Sequence, residues 1–179
     1  MRIDLGPYAI RDWAMDDAGS LARYANNPKI AANLRDGFPN PYTIFDAESF
    51  LSQMMSHSPR TVFAIANQRE AIGSIGLMIG HDVHRFTAEL GYWLAEPFWG
   101  KGIMTSAVVA ITGFGFEEFH LNRIYAEPYT RNPASSRILE KAGYRLEGTL
   151  RASVVKHGEV LDQFMYAKIS ESLTHTKTL

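Results

Sequence analysis

The chain opens with mostly helical patterning. After a short strand around Tyr8 to Arg11, apolar positions recur at Leu21, Tyr24 and Ala25, the spacing of one helix face. Asn27-Pro28 stops that helix, because the residue before a proline is driven out of the helical region, and a second short helix reaches Leu34. A loop follows, Arg35-Asp36-Gly37-Phe38-Pro39-Asn40-Pro41-Tyr42, and then a helix from about Asp46 to Met55. From Thr61 the character is that of strands: TVFAIA, AIGSIGLMIG and FTAELGYWLA, separated by polar segments suited to hairpin turns, predict an antiparallel meander. Met104, Val108, Ile111 and Phe114 then return to helical spacing, with Gly113 and Gly115 allowing that helix close to a sheet. A strand, RIYAEPY, comes next.

The segment from Asn132 to Gly143 carries its own punctuation, with Asn as N-cap, Pro at the first helical position and Gly beyond the end. Two further strands, from about Tyr144 to Lys156 and Glu159 to Ile169, meet at a His157-Gly158 turn. Helices, three strands, helix, strand, helix and two strands describe an α+β domain with a mixed sheet, since a doubly wound nucleotide fold would alternate more regularly.

Composition narrows the function classes. A chain of 179 residues with 46% apolar content suffices for one ordinary core, so a single domain over residues 1–170 is expected, with a frayed tail at 171–179. The formal net charge of -1 gives no field that would draw the protein to nucleic acid or an anionic membrane. With no cysteine there is neither a disulfide framework nor a thiolate nucleophile. The start, MRIDLGPYAIRDW, has no secretory leader pattern, and no stretch of spanning length is continuously apolar. A soluble cytoplasmic protein is therefore expected, monomeric or homodimeric.

The most informative stretch runs from Tyr92 to Thr105, YWLAEPFWGKGIMT, where a strand gives way through a glycine-bearing turn to a long helix. A helix start leaves backbone N–H groups unsatisfied and carries partial positive charge. No Ser, Thr, Asp or Asn stands between Trp99 and Gly102 to cap those donors, and a phosphate would supply the missing acceptor. The glycine spacing matches neither a Walker loop nor a dinucleotide fingerprint. Taken alone, the same residues also read as a plain strand-to-helix turn.

With its surroundings, this stretch resembles the acyl-CoA pyrophosphate loop of the GNAT superfamily of N-acetyltransferases. There a Gln or Arg precedes G-x-G or G-x-A by three residues; here Trp99 takes the Gln/Arg position and Met104 the final small one. The W-G-K-G form, with G-Y-W-L before it and E-K-A-G-Y after the next helix, is similar to the ribosomal-protein N-terminal acetyltransferase branch. The resemblance implies a twisted, mostly antiparallel sheet of about seven strands, splayed between the strand after the cofactor helix and its neighbour. It implies acetyl-CoA as co-substrate and no metal. The main chain at Trp93 and Leu94 would pair with the pantetheine arm. Residues Trp99, Gly100, Lys101, Gly102, Ile103, Met104 and Thr105 would hold the pyrophosphate, and Asn132 would contact the cofactor arm.

Acetyl transfer needs an uncharged amine, a polarised thioester carbonyl and a proton for the departing thiolate. Glu89 is the candidate base: strand alternation puts Glu89, Gly91 and Trp93 on one face, and Gly91 leaves room beside the carboxylate. It also reads as a solvated strand glutamate. Many superfamily members carry a Tyr acid seven residues after the helix-capping Asn, where this chain has Leu139; the resembling branch uses a Ser three residues after it, here Ser135. Ser135 and Ser136 could equally satisfy backbone donors at the helix start. Arg35, Phe38 and Tyr42, in a loop with Pro39 and Pro41, are candidates to cover the acceptor amine, or are a packed turn whose aromatics close the core.

His81 and His84 lack a nearby third nitrogen ligand and read as solvent-facing, while His120 suits the negative end of a helix. Arg145, Arg151 and Lys156 read as part of an ordinary half-exposed hairpin. The expected acceptor is a protein N-terminal α-amine. A small-molecule amine (polyamine, amino acid, antibiotic or nucleotide-sugar) is the runner-up, and an acyl-CoA-binding module without turnover is the reading from a different class.

Overall fold

The computed structural model describes residues 1–174. Eight strands and six helices follow one another in chain order, beginning with β1 (Arg2–Leu5), β2 (Tyr8–Arg11), α1 (Ala18–Ala25), α2 (Pro28–Ala31) and α3 (Ile44–Ser56). Next come β3 (Val62–Ala66), β4 (Ala71–Ile79), β5 (Thr87–Leu94), α4 (Ile103–Glu118), β6 (Arg123–Ala126) and α5 (Pro133–Lys141). β7 (Arg145–Lys156), β8 (Glu159–Ile169) and the single turn α6 (Glu171–Thr174) complete the described chain. The strands form one sheet in the order β1-β2-β3-β4-β5-β6-β8-β7, antiparallel in its described ladders except for the parallel pair β5–β6. The strand that sequence patterning misses is β1. RIDL alternates charged and apolar residues over only four positions, and its pairing with β2 depends on the tight Gly6-Pro7 turn, where Gly6 has φ 73.

Residues Met1–Gly76 and Tyr92–Ala107 make one compact unit. Its core gathers Trp13, Leu21, Ala25, Tyr42, Ala47, Leu51, Ala64 and Ala71, so the inward stripes of α1 and α3 and strand residues of β3 and β4 bury one another. α3 begins with a capping box in which Thr43 and Asp46 satisfy each other's backbone donors. On β4, a Cβ added to Gly73 would lie 2.5 Å from the Trp93 carbonyl oxygen, so that position requires glycine for β4 and β5 to approach.

Leu77–Gly91 and the residues from Val108 onward make a second unit. Gly115 of α4 lies close against Leu77 and Ile124, the approach expected of it, whereas nothing lies within 4 Å of a Cβ built at Gly113, which plays no such part. The hydroxyls of Thr112 and Tyr144 share a buried hydrogen bond of 2.7 Å. α5 has the predicted punctuation: Asn132 caps it, Pro133 opens it, and Gly143 beyond its end has φ 84. His157 and Gly158 both take positive φ, 52 and 81, the geometry of a two-residue hairpin turn between β7 and β8. Lys156 departs from the expected half-exposed hairpin, being only 3% exposed. Of the expected frayed tail, residues 171–174 form α6 and residues 175–179 lie outside the described residues.

Candidate functional site

In the first unit, the turn from β5 into α4 passes through Gly100 and Gly102 at φ 74 and 76, so both glycines hold a left-handed backbone that side chains resist. Nothing lies within 4 Å of a Cβ built at either, so the constraint is conformational and the space over the turn is open. Gly102 accepts the first helical bond from the Ser106 N–H at 3.1 Å yet has no side chain with which to cap the donors that follow it. Ile103 and Met104 are buried while Thr105 is half-buried, so the side chains of the first two anchor the turn in the core, and the first N–H groups of a helix have no intrahelical acceptor. A helix start without a side-chain cap can accept an anion.

Trp99 has a defined task. Its indole N–H donates to the Leu94 carbonyl at 2.6 Å, tying the turn back to the end of β5, while the side chain remains 44% exposed. One of the main-chain groups expected to meet the pantetheine arm therefore already has an internal partner. The Lys101 ammonium folds back onto the Pro97 carbonyl at 2.9 Å and over the Phe98 ring at 5.3 Å. Trp93 is half-buried and packs edge-on against Phe38, with centroids 6.1 Å apart.

The loop before α3 divides. Arg35 is exposed and Phe38 half-buried, but Tyr42 is 6% exposed within the core, and burial pushes its phenol up to about 12. The burial of Tyr42 in the core cluster and its ring contact with Phe38, centroids 5.0 Å apart, fit the packed-turn reading. An open pocket of about 330 Å³ that sequence patterning gave no sign of lies in this unit, lined by Arg23, Tyr24, Asn26, Asn27, Glu96 and Pro97. Hydrogen bonds from Lys29 and Asn27 hold its Glu96 carboxyl below the ordinary carboxylate range.

In the second unit, β5 and β6 run side by side from Thr87↔Arg123 to Glu89↔Tyr125, where the described ladder ends although β5 continues to Leu94. β6 itself ends one residue later, at Ala126. Glu89 is half-buried there, and a Cβ on Gly91 would meet only the methyl end of Met78, at 3.2 Å. On α5, the Asn132 Oδ1 accepts the Ser135 N–H at 3.2 Å. The cap is thus supplied by Asn132 and not by the Ser135 hydroxyl, and the Asn132 amide NH₂ points its donors elsewhere. Ser135 is half-buried, Ser136 beside it is buried, and Leu139 is fully buried.

His81 and His84 are exposed, and among the described residues no group of three His, Cys, Asp or Glu side chains could hold a metal ion. Among them, too, no helix is long and apolar enough to cross a membrane.

Comparison with known proteins bears on these features together. A family model described as an acetyltransferase (GNAT) domain matches residues 9–145. An uncharacterized N-acetyltransferase, p20, of Bacillus licheniformis is 28% identical over 165 residues, covering 88% of this chain and 90% of the relative. The ribosomal-protein-serine acetyltransferase of Escherichia coli (strain K12) is 31% identical over 111 residues, 62% of each chain. Among solved structures, a ribosomal L7/L12 α-N-protein acetyltransferase in complex with coenzyme A superposes with TM-score 0.85 at 20% identity, over 96% of this chain and 99% of that one.

Proposed function

The chain belongs to the GNAT acetyltransferase family, with acetyl-CoA as its co-substrate, and we propose that its acceptor is a protein N-terminal α-amine. The observation that carries the acceptor class is the match to the ribosomal-protein-serine acetyltransferase. An α-amine, with a reference pKa of about 8, is partly neutral near pH 7 and needs less help than a lysine amine near 10.4. One carboxylate acting directly or through water is enough for it, and we assign that role to Glu89.

The chemistry divides among the chain's own groups. The N–H groups of Gly102 to Thr105, with the positive end of α4, bind the pyrophosphate of acetyl-CoA. The free Asn132 amide donates to the cofactor arm. The amine nitrogen attacks the thioester carbonyl, a C–N bond forms and the C–S bond breaks. Glu89 takes the proton the amine loses, and the Ser135 hydroxyl donates toward the sulfur as thiolate charge develops. Phe38 and Arg35 contribute acceptor contacts, whereas Tyr42 supports the loop from within the core.

The test is acetylation of a panel by the purified protein with radiolabelled acetyl-CoA: short peptides with free N-terminal Ser or Ala, the same peptides with a blocked N-terminus and an internal lysine, spermidine, and an aminoglycoside. Label on free-terminus peptides alone is the expected outcome. Preference for spermidine or the aminoglycoside would move the assignment to a small-molecule amine.

A further inference from the structure

On β8, Leu161 and Gln163 are buried while Asp162 between them is half-buried, so Gln163 sits on the inward side of the strand, 8% exposed. A primary amide there is costly unless both its carbonyl and its NH₂ are bonded. The Gln163 Nε2 donates to the Glu127 carbonyl at 2.8 Å, and its Oε1 accepts the Ser153 hydroxyl at 3.0 Å. A backbone carbonyl only accepts, so the NH₂ must face Glu127 and the amide has one orientation.

Both partners lie in irregular backbone. β6 ends at Ala126, and the segment from Glu127 to Asn132 is held against β8 along its length. The Pro128 carbonyl accepts the Phe164 N–H at 2.9 Å, Tyr129 bridges to Gln163, and the Thr130 N–H donates to the Asp162 carbonyl at 3.0 Å. The Asn132 N–H then donates to the Tyr129 carbonyl at 2.8 Å, and its side chain caps α5 at Ser135. On the other flank, the β7–β8 register slips between Leu150↔Gln163 and Val154↔Leu161. Within the slip Ala152 holds φ 51, a strained value for a residue with a side chain, and its N–H donates to the Asp162 carboxylate at 2.7 Å. A bulge re-aims the side chains around it, and Ser153 is the one brought to Gln163.

One buried amide therefore joins the β7 bulge to the segment that leads to Asn132 and Ser135. We propose that Gln163 is a positioning residue for the transfer: its hold on the Glu127 carbonyl, steadied by Ser153, sets where that segment presents Asn132 and Ser135. The proposal rests on the reading of Ser135 as the proton donor to the sulfur.

Two measurements test it. The first is kcat at saturating acetyl-CoA, with a hexapeptide amide bearing a free N-terminal serine, for Gln163→Met in the wild-type and Ser135→Ala backgrounds. Methionine keeps the length and loses both bonds. It should lower kcat about 10- to 100-fold in the wild-type background and less than about 2-fold in Ser135→Ala, because the hydroxyl being placed is already gone. Ser153→Ala, which releases one end of the amide, should show the same pattern with a smaller loss, and carries the test if Gln163→Met does not fold. An equal loss in both backgrounds marks a general structural role and overturns the proposal, as does an unchanged kcat.

The second is amide hydrogen exchange of the coenzyme A-free protein, which reads position without turnover. Gln163→Met should speed exchange of the Thr130, Asn132 and Ser135 N–H groups at least about tenfold. The Ala142 N–H at the far end of α5, bonded to the Ile138 carbonyl, should be unaffected. Acceleration throughout α5, or none at Ser135, overturns the proposal. A wild-type kcat in Ser135→Ala would fail the reading of Ser135 by itself, and the exchange pattern then decides whether Gln163 fixes the segment.

Discussion

Glu89 has a distinctive expected signature when its charge is removed and its shape retained. Glu89→Gln should bind acetyl-CoA normally and lose about 10²- to 10⁴-fold in rate. The deficit should shrink as pH rises toward about 8, because solution then supplies the neutral α-amine; a pH–rate profile from 6 to 9 reads this directly, and full activity throughout would make Glu89 a plain strand carboxylate. Ser135→Ala should lower kcat more than it weakens acetyl-CoA binding, since a proton donor to the sulfur is needed only as charge develops. Comparing turnover with calorimetric affinity separates that role from a structural one.

A stability effect of ordinary origin lies elsewhere. Asp17, 5% exposed, accepts two hydrogen bonds from Arg11 at 2.8 and 2.7 Å and one from the Ala14 N–H at 3.0 Å. The bond to Asp17 holds the Arg11 guanidinium above its ordinary value. Asp17→Ala leaves that charge with the Asp12 carbonyl but no counter-ion and that N–H without its acceptor, and should cost about 3 kcal/mol by urea unfolding. Residue chemistry of this kind is only half legible in a sequence. Glu89 could be singled out because strand alternation is local, and Ser135 because the family resemblance marks the third position after the capping Asn132. The burial of Tyr42 and Lys156 could not, because each depends on chain segments far from it.

Among the elements, the turn into α4 is the most constrained by its own backbone. Gly102→Val places a branched side chain at φ 76, where glycine alone is comfortable, and puts its bulk over the open turn. It should reduce acetyl-CoA affinity at least tenfold by calorimetry, with helical content retained by circular dichroism; unchanged affinity would remove the turn from the cofactor site. Elements with internal signals were readable in advance: α5 from Asn132, Pro133 and Gly143, the β7–β8 hairpin from His157-Gly158. β1 was not, since four residues of mixed charge become a strand only when β2 offers a partner. The short parallel ladder between β5 and β6 is likewise invisible in composition, because it depends on which strand each one meets.

For the whole molecule, a cofactor that binds the folded chain and not the unfolded one must raise its stability. At about 100 times its dissociation constant, acetyl-CoA should add about 2.7 kcal/mol and raise the melting temperature by several degrees. A melting temperature unmoved by millimolar acetyl-CoA, with no heat of binding, would contradict the assignment of the turn.

The bond from Trp99 to the Leu94 carbonyl also gives the protein a built-in optical reporter. Its three indoles are graded by environment: Trp13 is 5% exposed, Trp93 half-buried and Trp99 44% exposed. Trp99 should therefore supply the long-wavelength edge of the emission spectrum, the light from the most water-relaxed excited state. A purine or a phosphate chain settling on residues 99–105 would dim or blue-shift that edge while leaving the short-wavelength light of Trp13 alone. Trp99→Phe should abolish the response without abolishing binding by calorimetry, so each indole's colour becomes a measure of whether the turn is occupied.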